Sequence, residues 1–328
     1  MSRLRIIALG TTESLVDCLH AWAEHHDVVG GISMPVAARP DNSFDLAGWA
    51  AQKQISYAEF EDINAEPAQR WLAALQPDVI YSMWPRLLAK NIIALPRIAC
   101  IGTHCTRLPA NRGRHPLHWM IAQGITESAI SFFQIEEGVD SGEIFLQVPF
   151  RLESHETIRE ALLAMNKAAR EGCRTLSARL AREARLQGRI QNDGDANYWR
   201  KRTLFDTIID FRMSAHTIDR LIRSYCSPFP CAKLLWRDWL IAIERGEIIS
   251  PDAAEKMAPA WRRFEPGRIV GQNEQGITVK ADDLLIRLMA RDGAAALAGL
   301  PTQGCILPPM AYVDADRKLA VLMSASKN

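Results

Sequence analysis

The sequence predicts an α/β fold: a doubly wound sheet of parallel βαβ units, followed by a smaller domain of short strands arranged as a β-barrel. Three observations predict it. Apolar, buried-type runs alternate with helical patterns through the first half of the chain, as parallel βαβ units require. Short runs punctuated by Gly and Pro fill the last third, as in small barrels. Between them lies a polar stretch, Gln187–Asn197 (QGRIQNDGDAN), read as a linker. The expected domains are 1–190 and 198–328, and 328 residues suffice for two of them.

Leu4–Leu9 is an apolar, β-branched run ending at Gly10, after which Leu15, Leu19 and Trp22 recur at helical spacing. This reads as buried strand, tight turn and helix. Val28–Met34 is a second strand; a polar loop, Pro35–Ser43, leads to a helix ending at Gln54 and a short strand at Ile55–Tyr57. Pro67–Leu75 is helical, and Asp78–Met83 and Ile98–Thr103 are further buried strands. Pro116 opens a helix to Gln123, since proline's missing N–H costs nothing in a first turn. Ala129–Ile135 and Glu143–Phe150 flank the turn Gly138-Val139-Asp140-Ser141-Gly142. Ser154 is expected to cap a long helix ending near Gly188, with Ile158, Leu162, Met165, Ala169, Leu176 and Leu180 as its apolar stripe and an Arg-rich solvated face. A basic segment, Tyr198–Thr203, precedes a helix over Ala215–Tyr225 and a turn-rich Ser227–Cys231. Strands are expected at Ala232–Trp236, Leu240–Arg245, Gly267–Val270, Gly276–Lys280 and Leu284–Ala290.

Several function classes are disfavoured. Lys plus Arg (39) nearly balances Asp plus Glu (38), so the total charge gives no support to a nucleic-acid partner. Seven scattered cysteines form no Cys-x-x-Cys pair, which fits reduced thiols better than disulfides or a zinc site. The start MSRLRIIALG carries no signal-peptide pattern, and no apolar run approaches the roughly 20 residues of a membrane span. Cytoplasmic residence without a membrane partner is the expectation. The first turn offers Gly10-Thr11-Thr12-Glu13-Ser14 instead of Gly-x-Gly-x-x-Gly, and no Walker pattern occurs, so nicotinamide and ATP chemistry are disfavoured.

The residues that could handle protons cluster between Ile101 and Ile144. His104 leaves a buried strand just before a Pro-stiffened loop, where an imidazole can act as general acid and base; the plainer reading is a structural loop histidine. Asp140 is either a turn aspartate bonded to backbone N–H groups or the carboxylate that orients His104. Asn111-Arg112-Gly113-Arg114-His115 crowds cations before a helix start, which suits an anionic ligand. Arg112 and Arg114 could equally tie the loop to backbone carbonyls.

The run His104-x-x-x-Leu108-Pro109-x-x-Arg112-Gly113-x-x-Pro116-x-x-Trp119, followed by Glu137-Gly138-Val139-Asp140-Ser141-Gly142-Glu143-Ile144, resembles the signature of the 10-formyltetrahydrofolate-dependent formyltransferases. That family includes methionyl-tRNA formyltransferase and amino-sugar N-formyltransferases. Pro77-Asp78, Tyr198–Thr203, Asp206-x-x-Ile209-Asp210-Phe211 and Ile222-Arg223 extend the likeness. The resemblance implies a Rossmann-like catalytic domain and a C-terminal OB-like β-barrel. It implies 10-formyltetrahydrofolate as cosubstrate and His104 and Asp140 as catalytic residues. It also implies a folate site around Trp84, Arg86, Leu87, Glu137, Gly138 and Asp140, and an acceptor site drawing on Gly102, Thr106, Arg112, Arg114 and Arg202.

One departure stands out: the family's asparagine two residues before the histidine is Gly102 here, and Cys105-Thr106 replaces the usual Pro-Ser. Glycine has no amide side chain, so oxyanion stabilisation must come from protonated His104, a backbone N–H or a replacement catalytic side chain, for which Asn111 is the nearest candidate by sequence. The expected function is formyl transfer to a nucleotide-linked amino sugar, a small molecule needing a few placed cations. Methionyl-tRNA formylation, a silent folate- or sugar-nucleotide-binding homologue, and formate release by water are the alternatives. A homo-oligomer is compatible with the sequence, which does not specify one.

Overall fold

The computed structural model describes residues 3–39, 43–301 and 304–308. The tip of the Pro35–Ser43 loop and the end of the expected 198–328 domain lie outside the described residues. Two compact units emerge. The first draws on 3–116, 127–152 and 162–200, the second on 117–126, 153–161 and the described part of the chain from 201 onward.

The first unit is built from β1 (Arg5–Leu9), α1 (Glu13–Ala23), β2 (Asp27–Ser33), α2 (Leu46–Gln52), β3 (Ser56–Glu59), α3 (Glu66–Ala74), β4 (Val79–Ser82), α4 (Lys90–Ile93) and β5 (Ala99–His104). A two-residue β6 (Arg112–Gly113), β7 (Glu127–Gln134), β8 (Ile144–Arg151), α6 (Ile158–Leu180, whose first turn belongs to the second unit) and β9 (Tyr198–Trp199) follow, while α5 (Pro116–Gln123) falls in the second unit from Leu117 on. The sheet order is β3-β2-β1-β4-β5-β7-β8. β3 through β5 in that order run parallel, whereas β7 is antiparallel to β5 and β8 to β7. A parallel crossover takes a dozen or more residues, and the short link from Gln134 to Ile144 permits only a hairpin. The sheet is therefore mixed on one side of β5, the interior strand that carries His104.

Ile7, Leu9, Ile32, Leu72, Ile80 and Cys100 are fully buried in one core; burying such side chains contributes about 1.5–3 kcal/mol each. α6 differs from expectation at both ends. It starts at Ile158, because Thr157 and not Ser154 takes the cap: the Arg159 N–H donates to Thr157 Oγ1 (3.3 Å), and Glu160 accepts the Thr157 N–H (2.9 Å). The Thr157 hydroxyl thus satisfies the second helical N–H and the Glu160 carboxylate the N–H of the cap itself. It ends at Leu180, well before Gly188, and the chain then peels away so that Arg189 and Ile144 exchange backbone hydrogen bonds, both 2.9 Å. The stretch read as a linker is therefore structured: Gln191 is buried, and β9 pairs in parallel with β6.

The second unit contains α7 (Ala215–Arg223), β10 (Ala232–Trp236), β11 (Trp239–Ile249), α8 (Pro251–Met257), β12 (Arg268–Asn273), β13 (Gly276–Lys280), β14 (Leu285–Ala290) and β15 (Gly304–Cys305). Its sheet is antiparallel, in the order β10-β11-β14-β13-β12-β15. Among the described residues β10 and β15 do not pair, so the expected barrel is an open half-barrel. Ile218 and Ile222 of α7 join Leu234, Ile243, Ile277, Val279, Ile286 and Leu288 in its core. Ser214 caps α7 by accepting the Thr217 N–H at 3.2 Å.

Candidate active site

Open α/β sheets present ligands at the carboxyl ends of their strands, and β5 ends there with His104. Its side chain is 6% exposed and lies between two acceptors. Nε2 is 2.8 Å from the Asn111 carbonyl oxygen, and Nδ1 is 3.4 Å from Asp140 Oδ2. A carbonyl only accepts, so Nε2 carries a proton; Nδ1 can donate to the carboxylate only when the ring is doubly protonated.

Asp140 sits in its turn at φ 52°, and its Oδ2 also accepts the Gly113 N–H at 2.9 Å. Gly113, at φ 106°, could not carry a side chain: a Cβ would overlap the Trp199 carbonyl oxygen. The loop after β5 is fixed from below by β7 and β8. Ser131 Oγ donates to the Thr106 carbonyl (2.6 Å) and accepts the Leu108 N–H (3.1 Å). Gln147 Nε2 donates to the Leu108 carbonyl (3.0 Å) and to Ser131 Oγ (2.8 Å). Thr106 is buried, its hydroxyl donating to the Ala110 (2.9 Å) and Asn111 (3.2 Å) carbonyls.

Asn111 adopts φ 63°, which asparagine tolerates better than most residues. Its N–H donates to Asn197 Oδ1 (2.7 Å) and its Oδ1 accepts from Asn197 Nδ2 (2.9 Å). Arg112 is 1% exposed: it donates to Gln191 Oε1 (2.9 Å), Asp193 Oδ1 (2.9 Å) and the Tyr198 hydroxyl (2.9 Å). The expectation that it faces an anionic substrate gives way to a buried tie. Arg202, in the second unit, is likewise buried, donating to Ser224 Oγ (2.9 Å) and the Asp206 carbonyl (2.8 Å) beneath the Trp119 ring. Arg114 stays exposed, donating to the Pro85 carbonyl at 2.7 Å.

Trp84 is buried with Leu88 and Ile92 in the core, while Leu87 is 60% exposed. Arg86 donates to the Glu61 carbonyl at 3.1 Å; Glu137 and Gly138 lie on the exposed part of the Asp140 turn. Gly102 pairs with Phe133 across β5 and β7, and the space above it is filled. A Cβ there would lie 2.9 Å from both Phe133 Cζ and Ile135 Cγ1. Where the resemblance implies an amide, this chain has packed two apolar side chains.

Sequence reasoning missed Gln191 and Asn197. Gln191 Nε2 donates to the carbonyls of Asp140 (2.8 Å) and Gly142 (2.7 Å), and Asn197 holds Asn111. Their polar surroundings read as a linker, and nothing local marks partners that lie some 50 to 86 positions earlier in the chain. A cavity of about 510 Å³ lined by Arg5, Gln76, Asp78 and Arg97 lies at the amino ends of β1 and β4, the edge of the sheet opposite His104.

Residues 4–175 match the formyl transferase family, and residues 203–297 match the formyl transferase C-terminal domain. The chain belongs to the formyl transferase family. It is a formyl-transferring enzyme. A methionyl-tRNA formyltransferase from Clostridioides difficile (strain 630) is 24% identical over 290 residues, covering 85% of this chain and 89% of the relative. The crystal structure of the N-formyltransferase from Helicobacter canadensis in complex with folinic acid and dTDP-3-aminofucose superposes with TM-score 0.63 at 14% identity, covering 88% of this chain and 99% of that one. HypX from Aquifex aeolicus in complex with tetrahydrofolic acid superposes with TM-score 0.61 at 13% identity, over 88% of this chain. This chain spans 44% of HypX. At these identities the solved structures bear on the fold. Among the described residues no helix is long and apolar enough to cross a membrane.

Proposed function

We propose that this enzyme moves the formyl group of 10-formyltetrahydrofolate to the amine of a nucleotide-linked amino sugar. The observation that carries the chemistry is His104 held between the Asn111 carbonyl and the Asp140 carboxylate. The substrate amine attacks the formyl carbon, and His104 takes the amine proton, reaching the doubly protonated form that both neighbours match. Asp140 stabilises that cation. The tetrahedral adduct collapses by breaking the bond from the formyl carbon to the folate nitrogen, and His104 returns the proton there. With Gly102 lacking an amide, Asn111 is the candidate donor to the oxyanion: its Oδ1 is held by Asn197, leaving Nδ2 as the donating end. Such a donor contributes about 2.7–4 kcal/mol in acyl transfer. The folate is assigned to the Trp84–Leu87 and Glu137–Asp140 segments, and the acceptor to the surroundings of Gly102, Thr106 and Arg114.

A small acceptor is favoured over tRNA by the pairing of cations in the second unit. Arg212, Arg223, Arg262, Arg268, Arg287 and Arg291 each pair with a carboxylate: Asp210, Asp219, Glu255, Glu265, Glu247 and Glu244. Phosphate-backbone binding uses cations that release counterions, and these already have internal partners. The methionyl-tRNA formyltransferase relative supports tRNA as the second reading. Incubation with 10-formyltetrahydrofolate and either a panel of nucleotide-linked amino sugars or charged initiator tRNA separates them. Formylated sugar is the expected product; formylated methionyl-tRNA alone would reverse the order.

A further inference from the structure

We infer that the segment from Gln191 to Trp199 is the element that positions the His104 imidazole, with Gln191 and Asn197 as positioning residues. His104 has two acceptors, one on each ring nitrogen, and each is placed by one of these residues. Asn197 grips Asn111 at its N–H and its side-chain oxygen, and the Asn197 carbonyl accepts the Arg112 N–H at 2.9 Å. These bonds hold Asn111 at positive φ, the conformation in which its own carbonyl reaches His104 Nε2. Gln191 grips the other side. Its amide nitrogen donates to the Asp140 and Gly142 carbonyls, holding Asp140 at its positive φ, while its oxygen accepts from buried Arg112.

The segment also closes the circuit between the two. Arg114 donates its N–H to the Trp199 carbonyl (2.9 Å), and between Arg112 and Arg114 the Gly113 N–H reaches Asp140 Oδ2 (2.9 Å). Releasing either end of the segment therefore frees one acceptor of the imidazole without touching the ring. Neither residue reaches the reacting atoms, so both act through others.

The inference rests on His104 as the proton-handling group of formyl transfer, and its test has a readout independent of turnover. The full chain carrying ring-15N histidine would be compared as wild type, Asn197→Ala, Asn197→Asp and Gln191→Glu, with His104→Gln identifying the His104 resonances. Asn197→Asp keeps the acceptor for the Asn111 N–H. Gln191→Glu keeps the Arg112 contact but sets a carboxylate against two carbonyls. Expected results are altered His104 ring-nitrogen shifts in Asn197→Ala and Gln191→Glu, with kcat reduced about tenfold to a hundredfold. The folate KM should stay within about threefold; Asn197→Asp, which keeps the bond from the Asn111 N–H but sets an oxygen against Asn111 Oδ1, should move the His104 shifts less than Asn197→Ala without restoring the rate. Unchanged His104 shifts in both Asn197→Ala and Gln191→Glu would overturn the inference, as would a loss confined to KM. If wild type formylates no acceptor while the His104 shifts respond as stated, positioning stands and the formyl-transfer reading falls.

Discussion

Restoring the family asparagine by Gly102→Asn should destabilise the protein. The new Cβ would meet Phe133 Cζ and Ile135 Cγ1 at 2.9 Å and Ile135 Cδ1 at 3.2 Å, so both side chains must move. Overpacking a core costs about 1–3 kcal/mol. An amide buried in this apolar cluster without a partner costs about 1–3 kcal/mol more. Replacing a strand glycine returns about 0.5–1 kcal/mol of backbone entropy. The net loss is roughly 1–5 kcal/mol, a fall in Tm of about 2–8 °C for a chain of 328 residues. Phe133→Ala alone should cost about 3–5 kcal/mol, but it opens the space the asparagine needs. The double variant should therefore lose less than the sum of the singles, with a coupling of about 1–2 kcal/mol, and should turn over faster than Phe133→Ala. Thermal melts of the four proteins followed by circular dichroism, with formyl transfer measured on each, give the cycle. Additive losses, or a Gly102→Asn protein that melts like wild type, would refute the packing argument.

Arg112→Met should cost about 2–4 kcal/mol, since it strands buried Gln191, whereas Asp193→Asn should cost no more than about 1 kcal/mol because Asp193 is 85% exposed; urea denaturation compares them. Burial holds His26 below its ordinary range, partly opposed by the Ser177 carbonyl it bonds. The unfolded chain thus binds this proton more readily, so stability should fall as pH drops below about 6.5, and the His26 contribution to that slope should vanish in His26→Gln, read from Tm against pH. Burial, with the Glu244 carboxylate 3.0 Å away, pushes the Cys231 thiol up to about 12. Iodoacetamide at pH 8 should leave Cys231 unmodified in the native protein and label it rapidly in urea, by peptide mass spectrometry.

Of the first five strands, β1, β2, β4 and β5 are legible because buried strands read as largely apolar runs between turn residues, whereas β3 (SYAE) is a half-exposed edge strand with no such run. His104 and Asp140 are legible as a pair because the motif spacing carries them, and the 3.4 Å approach of Nδ1 to Oδ2 agrees with that pairing. Other features depend on competition the sequence does not display. Ser154 and Thr157 are both good caps, and Thr157 takes the place with Glu160 accepting its N–H. Arg112 looks like a ligand-binding cation until Gln191, Asp193 and Tyr198 converge on it from far along the chain. Gly102 is visible as a missing amide, but the side chains filling its place come from β7 and its exit, and only the strand register brings them there.

The clamp between β6 and β9 also governs where this chain can be divided. A fragment ending at Leu180, where the long helix stops, would contain His104, Asn111 and Asp140 yet lack Gln191 and Asn197, which hold Asp140 and Asn111. A cut at residue 190, suggested by composition, falls one residue short of Gln191. During synthesis these loops must wait, with Asn111 and Asp140 uncommitted, until some 86 further residues have followed Asn111 and delivered Asn197. The site is thus finished by the last residues of its own unit, and any excised catalytic module has to run through Arg200 to carry it whole.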